Sequence, residues 1–447
     1  MHILIVTDQH AESLGGVQVA IRMQRRALEQ LGHRVTVAAP ALHRPGYQTA
    51  AQDRDAYIDL PSRPITADRE YGITWPGRRT DRALARALAD RPPVDLVHVQ
   101  GDFWGAMIGV RAARGLRAAY ARRVNGERPV PPVSSVPSVP GVRGVHGVPG
   151  VRGVHGVPIV HTMHNHVDEG TRAVTPFAPL AFVGLRAWRA LALGRARGAV
   201  DRASRGAWRY LAELASEAAV VTAPSQHFAE ALRAHGVAAD VLVTPNGVGD
   251  EAIAAAGSIE RSARRRPKLV WLGRMSHEKR VLEFVEAIAA SGIDADVALH
   301  GAGLLLPRVR EKIAALGLSD RVTIPGPVPY PEALAALHDA DALVQTSIGF
   351  ETQGLTPFEA AALGTPTIFS DPEIAEDVAV TPHWVVADGS VGALADTLRR
   401  AVAELSAGGA ELRVDASVAS RFLQSTRTVE MLAVYDAALA ASSEHTR

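Results

Sequence analysis

Short apolar runs alternate along this chain with longer stretches in which apolar and polar positions mix. The first run, Ile3-Leu-Ile-Val6, predicts a buried strand. Gly15-Gly16-Val17 follows, then a helix from about Gln18 to Leu31 that Gly32 ends, then a strand at Arg34–Ala39. Asp95–Gln100, Pro158–His161 and Ala218–Thr222 predict later strands ending at polar residues. Val241-Leu-Val-Thr-Pro-Asn-Gly247 closes this half, and the rhythm restarts at Lys268–Leu272, Asp296–His300, Val322–Ile324, Ala342–Gln345 and Thr367–Phe369. Strands separated by helices predict parallel sheets, which bind ligands at the carboxyl ends of their strands. The simplest reading is α/β: two doubly wound, Rossmann-like domains facing one another across a cleft. The boundaries expected are 1–248, 249–425 and a C-terminal segment, 426–447, packing back toward the first domain. A last helix is expected from about Val414 to Ala441, and the basic stretch 257–267 reads as a linker.

One segment breaks the rhythm. Pro140-Gly-Val-Arg-Gly-Val-His-Gly-Val148 recurs as Pro149-Gly-Val-Arg-Gly-Val-His-Gly-Val157. Glycine at this density opposes helix and strand alike, so a flexible tandem insertion over about 124–157 is expected.

Composition narrows the classes. A chain of 447 residues, 47% apolar and 21% charged, is globular and long enough for two domains. A net charge of +1 argues against a dedicated nucleic-acid binder. With no cysteine there are no disulfides or thiolate metal sites, which fits a cytoplasmic setting. No apolar run is long enough to cross a bilayer, and the N-terminus lacks the basic leader of a signal peptide.

The most informative stretch is Gly349-Phe-Glu-Thr-Gln-Gly-Leu-Thr-Pro-Phe-Glu-Ala360, with Glu351 and Glu359 eight positions apart. A turn at Gly354-Leu355 entering a helix can offer backbone N–H groups to an anion while the acids hold hydroxyls on either side. A competing reading makes Thr356-Pro-Phe-Glu359 a capping box, with Thr356 as N-cap and Glu359 reaching back. Gly273-Arg-Met-Ser-His-Glu-Lys279 follows a strand, with Ser276 as candidate N-cap. Arg274 and Lys279 would then converge with a helix N-terminus on a diphosphate. Gly15 and Gly16 would let the other domain press its backbone on the same phosphates, although a lone Gly-Gly is most often only a turn. Gly301-Ala-Gly303 lacks the full dinucleotide fingerprint. His161, His164 and His166 end a strand, at a spacing unlike that of helical zinc sites.

Taken together and in order, these motifs resemble the retaining, sugar-nucleotide-dependent glycosyltransferases of family 4, which have the GT-B fold. The likeness rests on Glu351-x7-Glu359, Gly273-Arg274…Glu278-Lys279, Gly15-Gly16-Val17 and Thr244-Pro-Asn-Gly247. It implies that Arg274 and Lys279 bind the donor diphosphate and that Glu351 lies near the donor sugar. It also implies that Glu359 bonds the nucleotide ribose, that Gly16, Gly354, Leu355 and Thr356 contact phosphate or sugar, and that the backbone near Val328 borders the base. His161 matches the active-site histidine, with His164 as fallback and His166 as a further acceptor-side candidate. The donor is expected to be UDP- or GDP-linked, with front-face attack, no metal and no cofactor.

Glu351-Thr-Gln-Gly-Leu355 in place of Glu-Gly-Phe-Gly-Leu, with His161-Thr-Met163, looks like the transferases that glucosylate diacylglycerol. A lipid or cell-envelope glycoconjugate acceptor is therefore expected, with a soluble small-molecule acceptor as the alternative. His164-Asn-His-Val-Asp-Glu169 departs from the aromatic-acidic run of that subgroup. The span Leu185–Tyr210 carries seven Arg, two Trp and one Tyr against the single acid Asp201. It could attract an anionic membrane at the inner face or be an ordinary amphipathic stretch. Rivals are a sugar-nucleotide epimerase, disfavoured by the paired glutamates, and a catalytically silent binder.

Overall fold

The computed structural model describes residues 1–124, 157–196, 200–408 and 412–444; all but the edges of the segment expected at 124–157 lies outside them. The chain forms two compact units, Met1–Pro245 with Arg427–Arg447, and Asn246–Thr426.

The first unit carries strands β1 (His2–Thr7), β2 (Arg34–Pro40), β3 (Tyr57–Leu60), β4 (Arg63–Pro64), β5 (Gly72–Ile73), β6 (Leu96–Gln100), β7 (Ile159–Thr162), β8 (Val220–Ala223) and β9 (Val241–Val243). Seven of them form a parallel sheet in the order β3-β2-β1-β6-β7-β8-β9; β4 and β5 make a small antiparallel pair. Its helices are α1 (Gly16–Gln30), α2 (Arg78–Leu88), α3 (Trp104–Val124), α4 (Val167–Val174), α5 (Ala178–Leu193), α6 (Gly206–Ala215) and α7 (Gln226–Ala234). Every residue of β1 is buried, which explains its nearly unbroken apolar run.

The second unit begins with α8 (Asp250–Gly257) and continues with β10 (Lys268–Leu272), α9 (Val281–Ser291), β11 (Asp296–His300), α10 (Leu306–Ala315), β12 (Val322–Gly326) and α11 (Tyr330–Asp339). Then come β13 (Ala342–Gln345), α12 (Leu355–Ala362), β14 (Thr367–Phe369), α13 (Pro372–Val378), β15 (His383–Val385) and α14 (Val391–Gly408). Its six strands are all parallel, in the order β12-β11-β10-β13-β14-β15. The final helix, α15 (Gln424–Glu444), starts in this unit and continues into the first from Arg427.

Strand order reverses direction between β1 and β6 in one sheet and between β10 and β13 in the other. Loops that leave the carboxyl ends of such strands diverge and open a crevice.

Three expectations need correction. The basic stretch 257–267 is not a linker between units, because the chain crosses at Pro245–Asn246. Arg261 and Arg264 instead bind Asp341 and Asp339, each at 2.6 Å, at the foot of the second sheet. That first crossing lies slightly earlier than position 248 because Val248 is held inside the second unit, bridged to Leu423. The last helix starts at Gln424 rather than Val414, since Asp415 caps a short 3₁₀ turn, Ala416–Arg421, and the Leu423 backbone is engaged by that bridge.

Candidate active site

In the second unit the loops after β10 and β13 flank the crevice. The first, Gly273–Arg280, lies against the loop after β11: Gly273 N–H donates to His300 O at 3.1 Å and Met275 N–H to Ala302 O at 2.8 Å. Gly301 and Gly303 make this approach possible, since a Cβ would stand 1.9 Å from Gly273 O and 2.4 Å from Met275 O respectively. These weak sequence signals thus have a packing reason.

Arg274 and Lys279 each pair with an acid. The Arg274 guanidinium is exposed and donates to Glu278 at 3.0 Å. Ser276 precedes a 3₁₀ turn, His277–Lys279, but does not cap it; its hydroxyl bonds Glu278 at 2.5 Å. The Lys279 ammonium pairs with the Glu351 carboxylate, which also accepts from Ser347 Oγ at 2.9 Å. Thr346 Oγ1 bonds Lys279 O and receives Trp271 Nε1–H at 2.9 Å, stitching the two loops together.

Gly354, at φ 70°, is the N-cap of α12, and no side chain caps the helix. This overturns the capping-box reading: Thr356 sits inside the first turn, beside Leu355 and Pro357, and Glu359 lies a full turn further on, buried. Burial pushes the Glu359 carboxyl up to about 7, opposed by the nearby Tyr330 hydroxyl. No hydrogen bond of regular geometry joins that buried hydroxyl to a partner. Val328 lies two residues before Tyr330, half-buried, in the loop after β12. Gln353, given no role of its own by the sequence, is buried and bonds Asn246.

In the first unit Gly15, at φ 140°, precedes α1 and Gly16 begins it, both exposed. The buried Glu70 fixes that turn by accepting Leu14 N–H at 2.8 Å, and Tyr71 OH donates to Leu14 O at 2.9 Å.

Two buried carboxyls that the pattern gave no means of pairing, Asp8 after β1 and Asp102 after β6, organise the crevice. Asp8 accepts the backbone N–H groups of Asp102 (2.7 Å), Phe103 (3.2 Å) and Gly105 (2.7 Å), capping α3. Burial and the Asp102 charge nevertheless push it up to about 7. Asp102 accepts His161 Nε2–H at 3.2 Å, the backbone N–H groups of His164 (2.9 Å) and Asn165 (2.8 Å), and Asn165 Nδ2–H at 2.9 Å. Burial works against its ionisation, but these donors outweigh it and hold it below the usual carboxylate range.

The three histidines part company. His161 is buried, and its Nε2 faces two acceptors, Gly101 O at 2.9 Å and Asp102, so that nitrogen carries the proton. His164 packs beside it against Gln100 Oε1 at 3.2 Å, and burial lowers its pKa to about 4. His166 is instead the N-cap of α4, its ring against Trp208 and Phe228. Among the described residues no group of three His, Asp or Glu side chains is arranged to hold a metal ion.

The Leu185–Tyr210 stretch also reads differently in three dimensions. Arg189 is buried on Glu217 at 2.9 Å, Arg186 and Arg209 pair with Glu213, and Tyr210 OH donates to Asp102 O at 2.8 Å; Arg197 lies outside the described residues. These arginines hold the first unit together. The solvent-facing residues of α5 and its N-cap are apolar instead: Phe177, Leu180, Val183 and Leu191 are exposed.

Residues 15–247 match the family described as Glycosyl transferase 4-like domain, and residues 258–415 match Glycosyl transferases group 1. The chain belongs to this family of glycosyltransferases. Among its relatives, 2-deoxystreptamine glucosyltransferase of Streptomyces kanamyceticus is 26% identical over 89% of this chain and 92% of its own length. 2-Deoxystreptamine N-acetyl-D-glucosaminyltransferase of Streptomyces fradiae is 34% identical over 34% of this chain and 39% of its own length. Sucrose-phosphate synthase from Thermosynechococcus elongatus superimposes with a TM-score of 0.65 at 18% identity, covering 99% of both chains. Anabaena HepE in complex with UDP does so with a TM-score of 0.63 at 15% identity, covering 98% of this chain and 100% of that one. The fold is GT-B, and the glycosyltransferase is an enzyme that uses nucleotide-sugar donors. Among the described residues no helix is long and apolar enough to cross a membrane.

Proposed function

We propose that this glycosyltransferase moves a hexose from a nucleoside-diphosphate sugar to a hydroxyl of a small polyhydroxylated or aminocyclitol acceptor, with retention at the anomeric carbon. The observation that carries the donor half is the Lys279–Glu351 ion pair at the switch point of the second sheet, beside the N-terminus of α12. An entering diphosphate takes over the Lys279 ammonium and the first-turn N–H groups of Leu355 and Thr356, with Gly354 leaving room for its oxygens. Glu351, released, accepts hydroxyls of the donor sugar; Glu359 accepts those of the ribose, and the backbone about Val328 borders the base. Arg274 swings from Glu278 to the diphosphate.

As the bond from the anomeric carbon to the phosphate oxygen breaks, the acceptor oxygen bonds to that carbon from the same face. The acceptor proton passes to the departing oxygen. Charge grows on that oxygen, and Lys279 and Arg274 stabilise it where a metal ion would otherwise serve. His161, its Nε2 proton committed to Gly101 O and Asp102, presents a fixed ring to the transferred sugar, with His164 behind it. The acceptor class is argued from the Streptomyces kanamyceticus relative, which is similar over most of both chains.

The test is release of free nucleoside diphosphate with and without 2-deoxystreptamine, in the presence of a chelator. Acceptor-dependent release that the chelator leaves intact is expected, and Lys279→Ala should lower it by about 10²–10³-fold. Equal rates for wild type and Lys279→Ala would refute the donor assignment.

A second reading, a lipid or envelope acceptor reached at an anionic membrane surface, is favoured by the exposed apolar residues of α5. That helix contains no acid. Co-sedimentation with anionic vesicles at low salt, lost in a Leu180→Glu/Leu191→Glu variant, would support it; no sedimentation of wild type would dismiss it.

A further inference from the structure

Gln353 stands between Glu351 and Gly354, yet its side chain turns away from both and is buried. Its carboxamide carbonyl accepts Asn246 N–H at 3.0 Å and Asn246 Nδ2–H at 2.7 Å, and its NH₂ donates to Asn246 O at 3.0 Å. One side chain therefore occupies both backbone polar groups and the amide of a residue 107 positions away. An Asn246 backbone tied in this way is a firm anchor only if it is itself immobile. It is held: Val248 N–H donates to Phe422 O and Gln424 N–H to Val248 O, both at 2.8 Å. Gly247 lies so close that a Cβ there would stand 2.4 Å from Gln424 Cα.

The loop after β13 has a second tether, Gly349 N–H to Asp371 Oδ2 at 2.8 Å. Between the two tethers sits Glu351, and α12 begins two residues after the Gln353 tether. We infer that Gln353 is a positioning residue for donor binding: its clamp on Asn246 fixes the backbone from which the Glu351 carboxylate and the first-turn N–H groups of α12 project. The inference rests on the donor-site reading above. Preorganised groups bind and activate a donor without paying again for order. A loop freed from the clamp must be ordered by the donor itself, so the loss falls on donor affinity and donor KM more than on acceptor KM.

The experiment uses the full chain. The probe is whichever of UDP, GDP or ADP raises the melting temperature of the wild type. Gln353→Leu keeps bulk and removes every bond to Asn246. Gln353→Glu keeps the two acceptor contacts and sets a carboxylate oxygen against Asn246 O. Both should weaken nucleotide affinity and raise donor KM by about tenfold or more, with acceptor KM unchanged. Asn246→Ala, which loses only one of the three bonds, should show a smaller loss of the same kind and little change in melting temperature. If Gln353→Leu does not fold, Asn246→Ala decides. Wild-type nucleotide affinity and donor KM in the folded variants, with melting temperature alone lowered, would overturn the inference and leave Gln353 a packing residue. Lys279→Ala separates the two failures: if it too binds nucleotide like wild type, or if no nucleotide stabilises the wild type, the donor-site reading itself has failed.

Discussion

Glu359 shows what a single side chain gains from its surroundings. Burial raises its carboxyl from the ordinary 4.5 to about 7. Between those two values the folded chain holds a proton that the unfolded chain has released, so this group's contribution to stability declines as pH rises through that window. In the proposed donor site a ribose hydroxyl would donate to the ionised carboxylate and favour it, so donor binding would expel the proton. Affinity for a sugar nucleotide, whose diphosphate does not titrate here, should therefore rise from pH 6 to 8 by about tenfold for each unit of pKa the donor removes. Calorimetry across that range checks this, and Glu359→Gln should bind more weakly at high pH with a flat profile. The sequence shows Glu351 and Glu359 eight positions apart but not the surroundings of either. Gly354 in the left-handed region takes the cap position that the competing reading gave to Thr356, and Tyr330 reaches Glu359 only through the packing of α11 on α12. Likewise Asp8 and Asp102 follow separate strands, and nothing local says that they meet.

Elements with buried strands were read well, because a strand covered on both faces must be apolar throughout. The ones missed, β3, β4, β5 and β15, are short strands with a single neighbour each, so their apolar runs are brief and interrupted. The turn after β10 illustrates the limit for loops. Position after a strand singles out its Arg274 and Lys279, whereas their acidic partners, Glu278 and Glu351, depend on the 3₁₀ turn and on the loop after β13. What shapes that turn is the close approach of Gly301 and Gly303. Gly301→Ala should displace the Gly273–Met275 backbone, costing about 1–3 kcal/mol in stability by denaturant titration, and should weaken nucleotide binding as well. Gly257→Ala is the contrasting substitution. At the end of α8 its Cβ meets nothing within 4 Å, and the better helix propensity of alanine makes it neutral or stabilising by up to about 1 kcal/mol.

At the scale of the whole chain, the sequence order of the two units hides a return: residues from Arg427 onward rejoin the first unit. Met431, Leu432, Val434, Tyr435 and Ala438 of α15 pack in one core with Ile3, Ile5, Ile21 and Leu28. Tyr435 OH meets the ring of His98, on β6, at 2.7 Å in surroundings so buried that the phenol is pushed far above its ordinary range. Burial also drives His98 well below its usual value, so it stays neutral, its Nε2 on Thr162 at 2.7 Å and its Nδ1 on Tyr435. Tyr435→Phe removes the shorter of two contacts to His98 Nδ1 and leaves Gln100 Nε2 at 3.3 Å, a loss of about 0.5–1.5 kcal/mol. For a domain of this size that lowers the melting temperature by about 2–4 °C per kcal/mol. His98 and the core around Tyr435 belong to the first unit, so scanning calorimetry should show the loss in that unit's transition, with the transition of Asn246–Thr426 left in place. A Tyr435→Phe variant that lowers the second unit's transition instead would refute this role of α15.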